Sequence, residues 1–297
     1  AGDLTIGAVT GATFDLTLDT GHFAGANISG TTVTNVGTLT LRDAGTATFT
    51  GAVNTNTAVA ITDAVTLVDF QGAVTTPTLT VTGTATAYNV NSTGTGGTIT
   101  NAVTFANTGT LTLGQAAGTQ TYNGGLTATA NSGRTVLGTI NSSDDVMTFG
   151  AITLGAATVL DTNALTAAGD LTIGAVTGAT FSLTLDTGHF AGADISGTTV
   201  TNVGTLTLRD AGTATFTGAV NTNTAVAITD AVTLVDFQGA VTTPTLTVPF
   251  VATAYNVNLT GTGGTMLGVS APGLVGFLLA GTLGIWLLIF FLRSGRL

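Results

Sequence analysis

Apolar residues alternate with threonine along most of this chain. Leu4-Thr5-Ile6, Leu16-Thr17-Leu18, Leu39-Thr40-Leu41, Val65-Thr66-Leu67, Leu79-Thr80-Val81, Leu111-Thr112-Leu113 and Ile152-Thr153-Leu154 share the pattern. A period of two sends one set of side chains to a core and the other to solvent, which predicts short β-strands. No stretch before residue 268 carries a helical period. A Gly-Ala-Val-like signature punctuates the strands, at Gly7-Ala8-Val9, Gly51-Ala52-Val53, Gly72-Ala73-Val74, Asn101-Ala102-Val103, Gly124-Gly125-Leu126, Gly150-Ala151-Ile152 and Gly174-Ala175-Val176. The first gap between markers, 44, reads as two steps of 22, and the others are 21, 29, 23, 26 and 24. Seven steps therefore lead from Val9 to Val176, close to 24 each.

Coils of that length, built from short strands and Gly/Asn turns, predict a parallel β-helix. Small residues stack at the corners, aliphatic residues fill the bore and threonine faces solvent. About eleven coils form a rod of roughly 50 Å at ~4.8 Å per coil. A β-sandwich array is the structural alternative, but sandwich repeats run near ~100 residues and seldom carry such a subperiod.

The chain also repeats on a larger scale. Residues 1–98 reappear as 168–265 with six differences. Asp15 becomes Ser182, Asn27 becomes Asp194, Thr82-Gly83-Thr84 becomes Pro249-Phe250-Val251, and Ser92 becomes Leu259. Large duplications mark modular arrays whose units bury their apolar faces against their neighbours. The opening Ala1-Gly2-Asp3 recurs as Ala168-Gly169-Asp170, so residue 1 reads as an interior repeat position of a processed or truncated chain. Four of the six differences fall within 249–259 and make the last coils more apolar, as expected of a cap or of coils resting on a membrane or partner.

The pattern changes at the C-terminus. The run from Gly273 to Leu292 carries no charge and includes Phe277, Trp286 and Phe290. At ~1.5 Å per residue, a run of about 20 residues is long enough to cross a ~30 Å hydrocarbon core as one α-helix. Arg293 and Arg296 follow and are expected to stay cytoplasmic, leaving the repeats outside. Gly276, Ala280 and Gly284 form a small-residue ridge of the kind that pairs membrane helices. The expected organisation is therefore an all-β solenoid over 1–265, a linker over 266–272, a transmembrane helix over 273–292 and a basic tail over 293–297.

Composition narrows the function. The chain of 297 residues has 15 acidic residues, all Asp, and five Arg with no Lys, for a net charge of −10. Such a chain lacks the cationic surface that a nucleic-acid backbone requires. With no Cys, neither disulfides nor thiolate metal sites can form. No cofactor is expected.

Candidate chemistry is sparse. Asp19-Thr20-Gly21 and Asp186-Thr187-Gly188 have the lettering of aspartic-protease triads, but His22 and His189 stand where that family has a small residue. The two triads are copies seven coils apart, roughly 30 Å, so a shared dyad is excluded and a Gly turn is expected. The same separation stops His22 and His189 from sharing a metal, and one His with one Asp is too small a ligand set. Arg42-Asp43 and Arg209-Asp210 suggest, as the alternative function, a β-helix polysaccharide lyase or hydrolase. That reading needs a groove of clustered acids and bases, which the spacing does not supply. Asp144-Asp145 is the one adjacent acid pair, expected as a solvated turn.

The alternating Leu-Thr-Leu triplets, the Gly-Ala-Val corners and the near-identical blocks resemble those of giant bacterial β-strand-repeat surface proteins. They are also similar to filamentous-haemagglutinin-like and autotransporter passenger β-helices. The resemblance covers 1–265 and is one of composition and repeat rather than of a diagnostic residue set. It implies an exported adhesin or surface-layer role without catalysis. The tail, Ser270-Ala271-Pro272-Gly273 followed by the apolar run, Arg293 and Arg296, resembles exosortase-type sorting signals, although the Pro-Glu-Pro core is absent. The expectation is a single-pass cell-surface protein, structural and adhesive. Its partners would be membrane lipid, its own copies side by side, and a surface glycan or protein.

Overall fold

The computed structural model describes residues 2–248 and 255–270, together with the backbone of Phe277–Leu278 and Leu288–Ile289. Residues 2–248 and 255–270 form a parallel β-solenoid, and no helix occurs among the described residues. Three strand-bearing faces surround a single apolar bore. On the first face, pairing carries Thr5 to Ser29, Thr48, Asp69, Asn91, Thr112, Thr135, Thr153, Thr177 and Thr201, one coil at a time. These residues point outward. Their neighbours Ile28, Ala47, Val68, Val90 and Leu111 point into the bore and are at most 1% exposed. The path along this face from Leu4–Thr5 to Thr265–Ser270 passes through thirteen strands, twelve turns in all. At ~4.8 Å per turn the rod is about 58 Å long. Thr265–Ser270 pairs with Val241–Thr247 and carries the coil stack to Ser270.

Twelve turns between Leu4 and Thr265 make the mean turn shorter than the marker spacing predicts, because the Gly-Ala-Val marker does not stay at one corner. Val9, Val53 and Val74 enter the second face. Val103 and Leu126 enter the third. Ile152 and Val176 enter the first. Each slip from one corner to the next adds a third of a turn. The slips account for the two longest gaps, from Val74 to Val103 and from Leu126 to Ile152. The duplication, whose copies start at Ala1 and Ala168, therefore spans seven and two-thirds turns, not seven. Thr5 lies on the first face, whereas its copy Thr172 lies on the third, between Thr148 and Ser196. Thr10 lies on the second face, and its copy Thr177 on the first. The second copy is thus turned by one face about the rod axis.

The corners are built by small residues. Val33–Arg42 bends through a corner at Asn35, which has φ 53°, a left-handed conformation that Asn tolerates better than most residues. Asn56 Nδ2 donates to Asn35 Oδ1 at 2.7 Å, and Asn223 repeats the bond to Asn202 at 2.8 Å. Threonine is not confined to solvent. Thr55 and Thr76 are buried at a neighbouring position, where Thr55 Oγ1 donates to Thr76 Oγ1 at 2.7 Å and Thr76 Oγ1 donates to the Thr78 carbonyl at 3.0 Å. A glycine ladder closes another corner: a Cβ on Gly72 would lie 2.2 Å from the Gly51 carbonyl carbon, and one on Gly94 would lie 2.0 Å from that of Gly72.

An aromatic ladder runs inside the bore. Gly30, Phe49, Phe70, Ser92 and Leu113 are successive register partners. Phe49 and Phe70 stack with ring centroids 5.7 Å apart, and Phe216 and Phe237 repeat this at 5.6 Å. This ladder explains one of the six differences. Ser92 receives a hydrogen bond from Gln120 Nε2 at 3.3 Å, and Gln120 is buried in a bore position of a later coil. Its counterpart Leu259 extends the apolar ladder over Phe237. Two more differences preserve a hydrogen-bond acceptor. Asp15 Oδ1 accepts from Thr38 N and Ser182 Oγ from Thr205 N. Asn27 Oδ1 accepts from Thr46 N and Asp194 Oδ1 from Thr213 N. The remaining three, Pro249-Phe250-Val251, lie outside the described residues.

Gly72→Ala should destabilise the chain by about 1–3 kcal/mol, since the new methyl group overlaps backbone that cannot yield. Gly25→Ala, where nothing lies within 4 Å of the new Cβ, should stay within ~0.5 kcal/mol. Urea unfolding followed by circular dichroism checks the pair; equal losses would show that the ladder imposes no steric limit.

Candidate metal centre

Seven of the aspartates, scattered in sequence, converge along two edges of the rod. In the first copy Leu16–Asp19, Val33–Arg42 and Val53–Ile61 end on the third face, one above another. Each is followed by a turn, so residues one coil apart in sequence become neighbours. His22 comes from the lowest turn, Asp43 from the next and Asp63 from the third. His22 Nδ1 lies 3.1 Å from Asp43 Oδ1 and 3.6 Å from Asp63 Oδ2. In the second copy His189 Nδ1 lies 3.4 Å from Asp210 Oδ1 and 3.8 Å from Asp230 Oδ2. In each cluster the three ligand atoms lie within 4.8 Å of one another. Because the copies are rotated, the first cluster sits at the corner from third to first face and the second at the corner from second to third. About 37 Å of rod separates them, at ~4.8 Å per coil.

Backbone conformation sets the clusters. His22 and Asp43 both adopt positive φ, 62° and 53°, as do His189 and Asp210 at 65° and 53°. The Asp-Thr-Gly triads serve as the expected turns: Gly21 N donates to Asp19 Oδ1 at 2.8 Å and Gly188 N to Asp186 Oδ1 at 2.9 Å. Thr20 Oγ1 donates to the carbonyls of Ala26 and Asp43, tying the turn to the next coil.

The arginines complete each edge. Arg42 Nε donates to Asp19 Oδ2 at 2.8 Å. This bond, followed by that from Gly21 N, holds the Asp19 carboxyl below its ordinary range. The second copy has one more acid, because Asp161 pairs in register beneath Asp186. Arg209 Nε donates to Asp186 Oδ2, and its Nη2 lies 3.9 Å from Asp161. Burial, and after it the Asp186 charge, pushes the Asp161 carboxyl up. Asp210 is also pushed up, by burial first and then by Asp186 and Asp230. Asp186 and Arg209 therefore sit in a more acidic, more enclosed setting than Asp19 and Arg42, while the histidine clusters are equally exposed in the two copies.

Each histidine meets two aspartates rather than the one that the sequence suggests. Asp43 and Asp63 stand one and two coils beyond His22, and only the coil length links them. The lettering held the signal, since 22, 43 and 63 are one coil apart and 189, 210 and 230 repeat the spacing. Asp144 makes a saturated turn, accepting bonds from Thr166 N at 3.0 Å, from Leu165 N and from Thr166 Oγ1. Arg134 occupies a bore position, donates to the carbonyls of Ala151 and Thr129, and has no carboxylate partner among the described residues. The anchor and ridge residues expected between Gly273 and Arg296 lie outside the described residues. The exceptions within this stretch are the backbones of Phe277–Leu278 and Leu288–Ile289, which pair as an antiparallel ladder. Among the described residues no helix is long and apolar enough to cross a membrane.

No protein family, curated protein or solved structure matches the chain.

The raised Asp161 carboxyl carries a sign. A group whose folded pKa exceeds its unfolded value favours the fold when protonated, so its unfavourable contribution grows as pH rises above ~3.9 through the raised value. Asn at 161 keeps an acceptor for the Asn163 N–H, which donates to Asp161 Oδ1 at 2.8 Å. Asp161→Asn should therefore raise the thermal midpoint at pH 7 and leave it unchanged at pH 3. Equal increments at both values would exclude charge as the cause.

Proposed function

We propose that the chain is a surface-exposed structural and adhesive repeat protein, anchored by its C-terminal apolar run. The observation that carries this reading is the outward face of the solenoid. Its columns are Thr, Ser, Asn and Asp repeated once per coil, over a bore closed by aliphatic and aromatic ladders. A rod of this kind holds polar groups at a fixed spacing along its length and projects them from whatever its end is attached to. Such a face suits many weak contacts with a glycan, a protein or a second rod. The run Gly273–Leu292, with Phe277, Trp286 and Phe290 inside it and Arg293 and Arg296 after it, supplies the anchor in this reading. The arginines that suggested polysaccharide cleavage are each engaged with an aspartate of the preceding coil, Arg42 with Asp19 and Arg209 with Asp186. This arrangement favours a structural use of those side chains.

Cell fractionation with intact-mass analysis tests the proposal. The expected result is a membrane-associated chain that retains Arg293 and Arg296 and is cut by protease added to intact cells. A chain that ends near Gly273 but stays at the surface would make the tail a sorting signal. A chain shielded from external protease and free in the cell lysate would overturn the surface role.

A further inference from the structure

We propose that each corner cluster binds one divalent transition-metal ion of the zinc class, through His22, Asp43 and Asp63 in the first copy and His189, Asp210 and Asp230 in the second. The distances fit a ligand shell, and without an ion the His22 Nδ1–Asp43 Oδ1 contact is a hydrogen bond. Zinc sits about 2.1 Å from imidazole nitrogen and carboxylate oxygen, so two ligand atoms of a tetrahedral site lie about 3.4 Å apart. The four His–Asp distances, 3.1 and 3.6 Å in one cluster and 3.4 and 3.8 Å in the other, bracket that value. A second observation is independent of these contacts. Among the described residues, Asp63 Oδ1 and Asp230 Oδ1 are buried and have no hydrogen-bond partner. A buried carboxylate oxygen normally has a donor; the oxygens that face the histidines are Oδ2, and a cation held there would offset the charge that the carboxylate shares with its unpartnered Oδ1.

The chemistry selects the class of ion. Calcium and magnesium take six or more oxygen ligands or keep most of their water, whereas one imidazole with two carboxylates suits zinc, nickel or cobalt. The side chains of His22, Asp43 and Asp63 are 51%, 28% and 29% exposed, so the fourth position opens to solvent and can hold water. Three successive coils supply the three ligands, so the bound ion would fasten those coils to one another along the rod axis.

Isothermal titration of the untagged full chain in detergent with zinc chloride, beside calcium and magnesium chlorides, tests it. The expected result is two zinc ions per chain and no saturable calcium or magnesium binding, with a zinc-dependent rise in the thermal midpoint. His22→Asn should lower the count to one, and combination with His189→Asn should abolish it. Asn suits the positive φ at both positions, so the coil should persist, as circular dichroism would show. If either variant fails to fold, Asp63→Asn and Asp230→Asn, nearly isosteric, carry the same expectation. Absence of saturable zinc binding, or an unchanged count in a folded double variant, would overturn the proposal and leave each histidine as a simple ion-pair partner of its two carboxylates.

Discussion

The hydrogen bonds between successive coils set the remaining distances in this molecule. Each coil pairs in parallel register with the one below, so every side chain has a neighbour about 4.8 Å away that comes from roughly one turn earlier in the chain. Each such bond contributes only ~1 kcal/mol net, but the ladders repeat on three faces over twelve turns. In register, like stacks on like: phenylalanine on phenylalanine, asparagine on asparagine, glycine on glycine. The same constraint makes a glycine corner intolerant of a methyl group and lets two aspartates distant in sequence meet one histidine.

The register also explains how a duplication can be out of phase with its own fold. Seven and two-thirds turns separate equivalent residues, so the second copy presents each strand on a different face from the first. The chain tolerates this because the three faces offer the same environment to a strand. Val33–Arg42 and Val200–Arg209 have nearly identical burial along their lengths, although one joins the second and third faces and the other the first and second. A β-helix corner asks only for a small or left-handed residue, and the strand beyond it only for alternation. Features carried on the outer edges do change. The two histidine clusters face different directions, and the second gains Asp161 from a coil that has no counterpart beneath the first among the described residues.

Differences between the copies follow the packing they meet. Where an acceptor is needed, Asp15 and Ser182, or Asn27 and Asp194, supply it equally well. Ser92 answers the buried amide of Gln120, whereas its copy Leu259 continues the apolar column over Phe237. The electrostatic difference arises in the same way, since Asp186 is more enclosed than Asp19 because a coil lies under it, with side chains 5% and 29% exposed.

Strand character, the all-β class, the repeat and the parallel solenoid were legible in the amino-acid sequence, because alternation and spacing are local properties that each strand must satisfy by itself. The mean coil length was legible only approximately. The Gly-Ala-Val marker suits any of the three corners, and its slips by a third of a turn look in the sequence like longer coils. Only the tertiary register revealed those slips, and with them the rotation of the second copy, because register depends on which carbonyl each amide reaches in another coil. The same holds for the metal-ligand clusters. Single residues such as His22, Asp43 and Asp63 carry no local sign of one another, and the stacking of three coils is what brings them within reach.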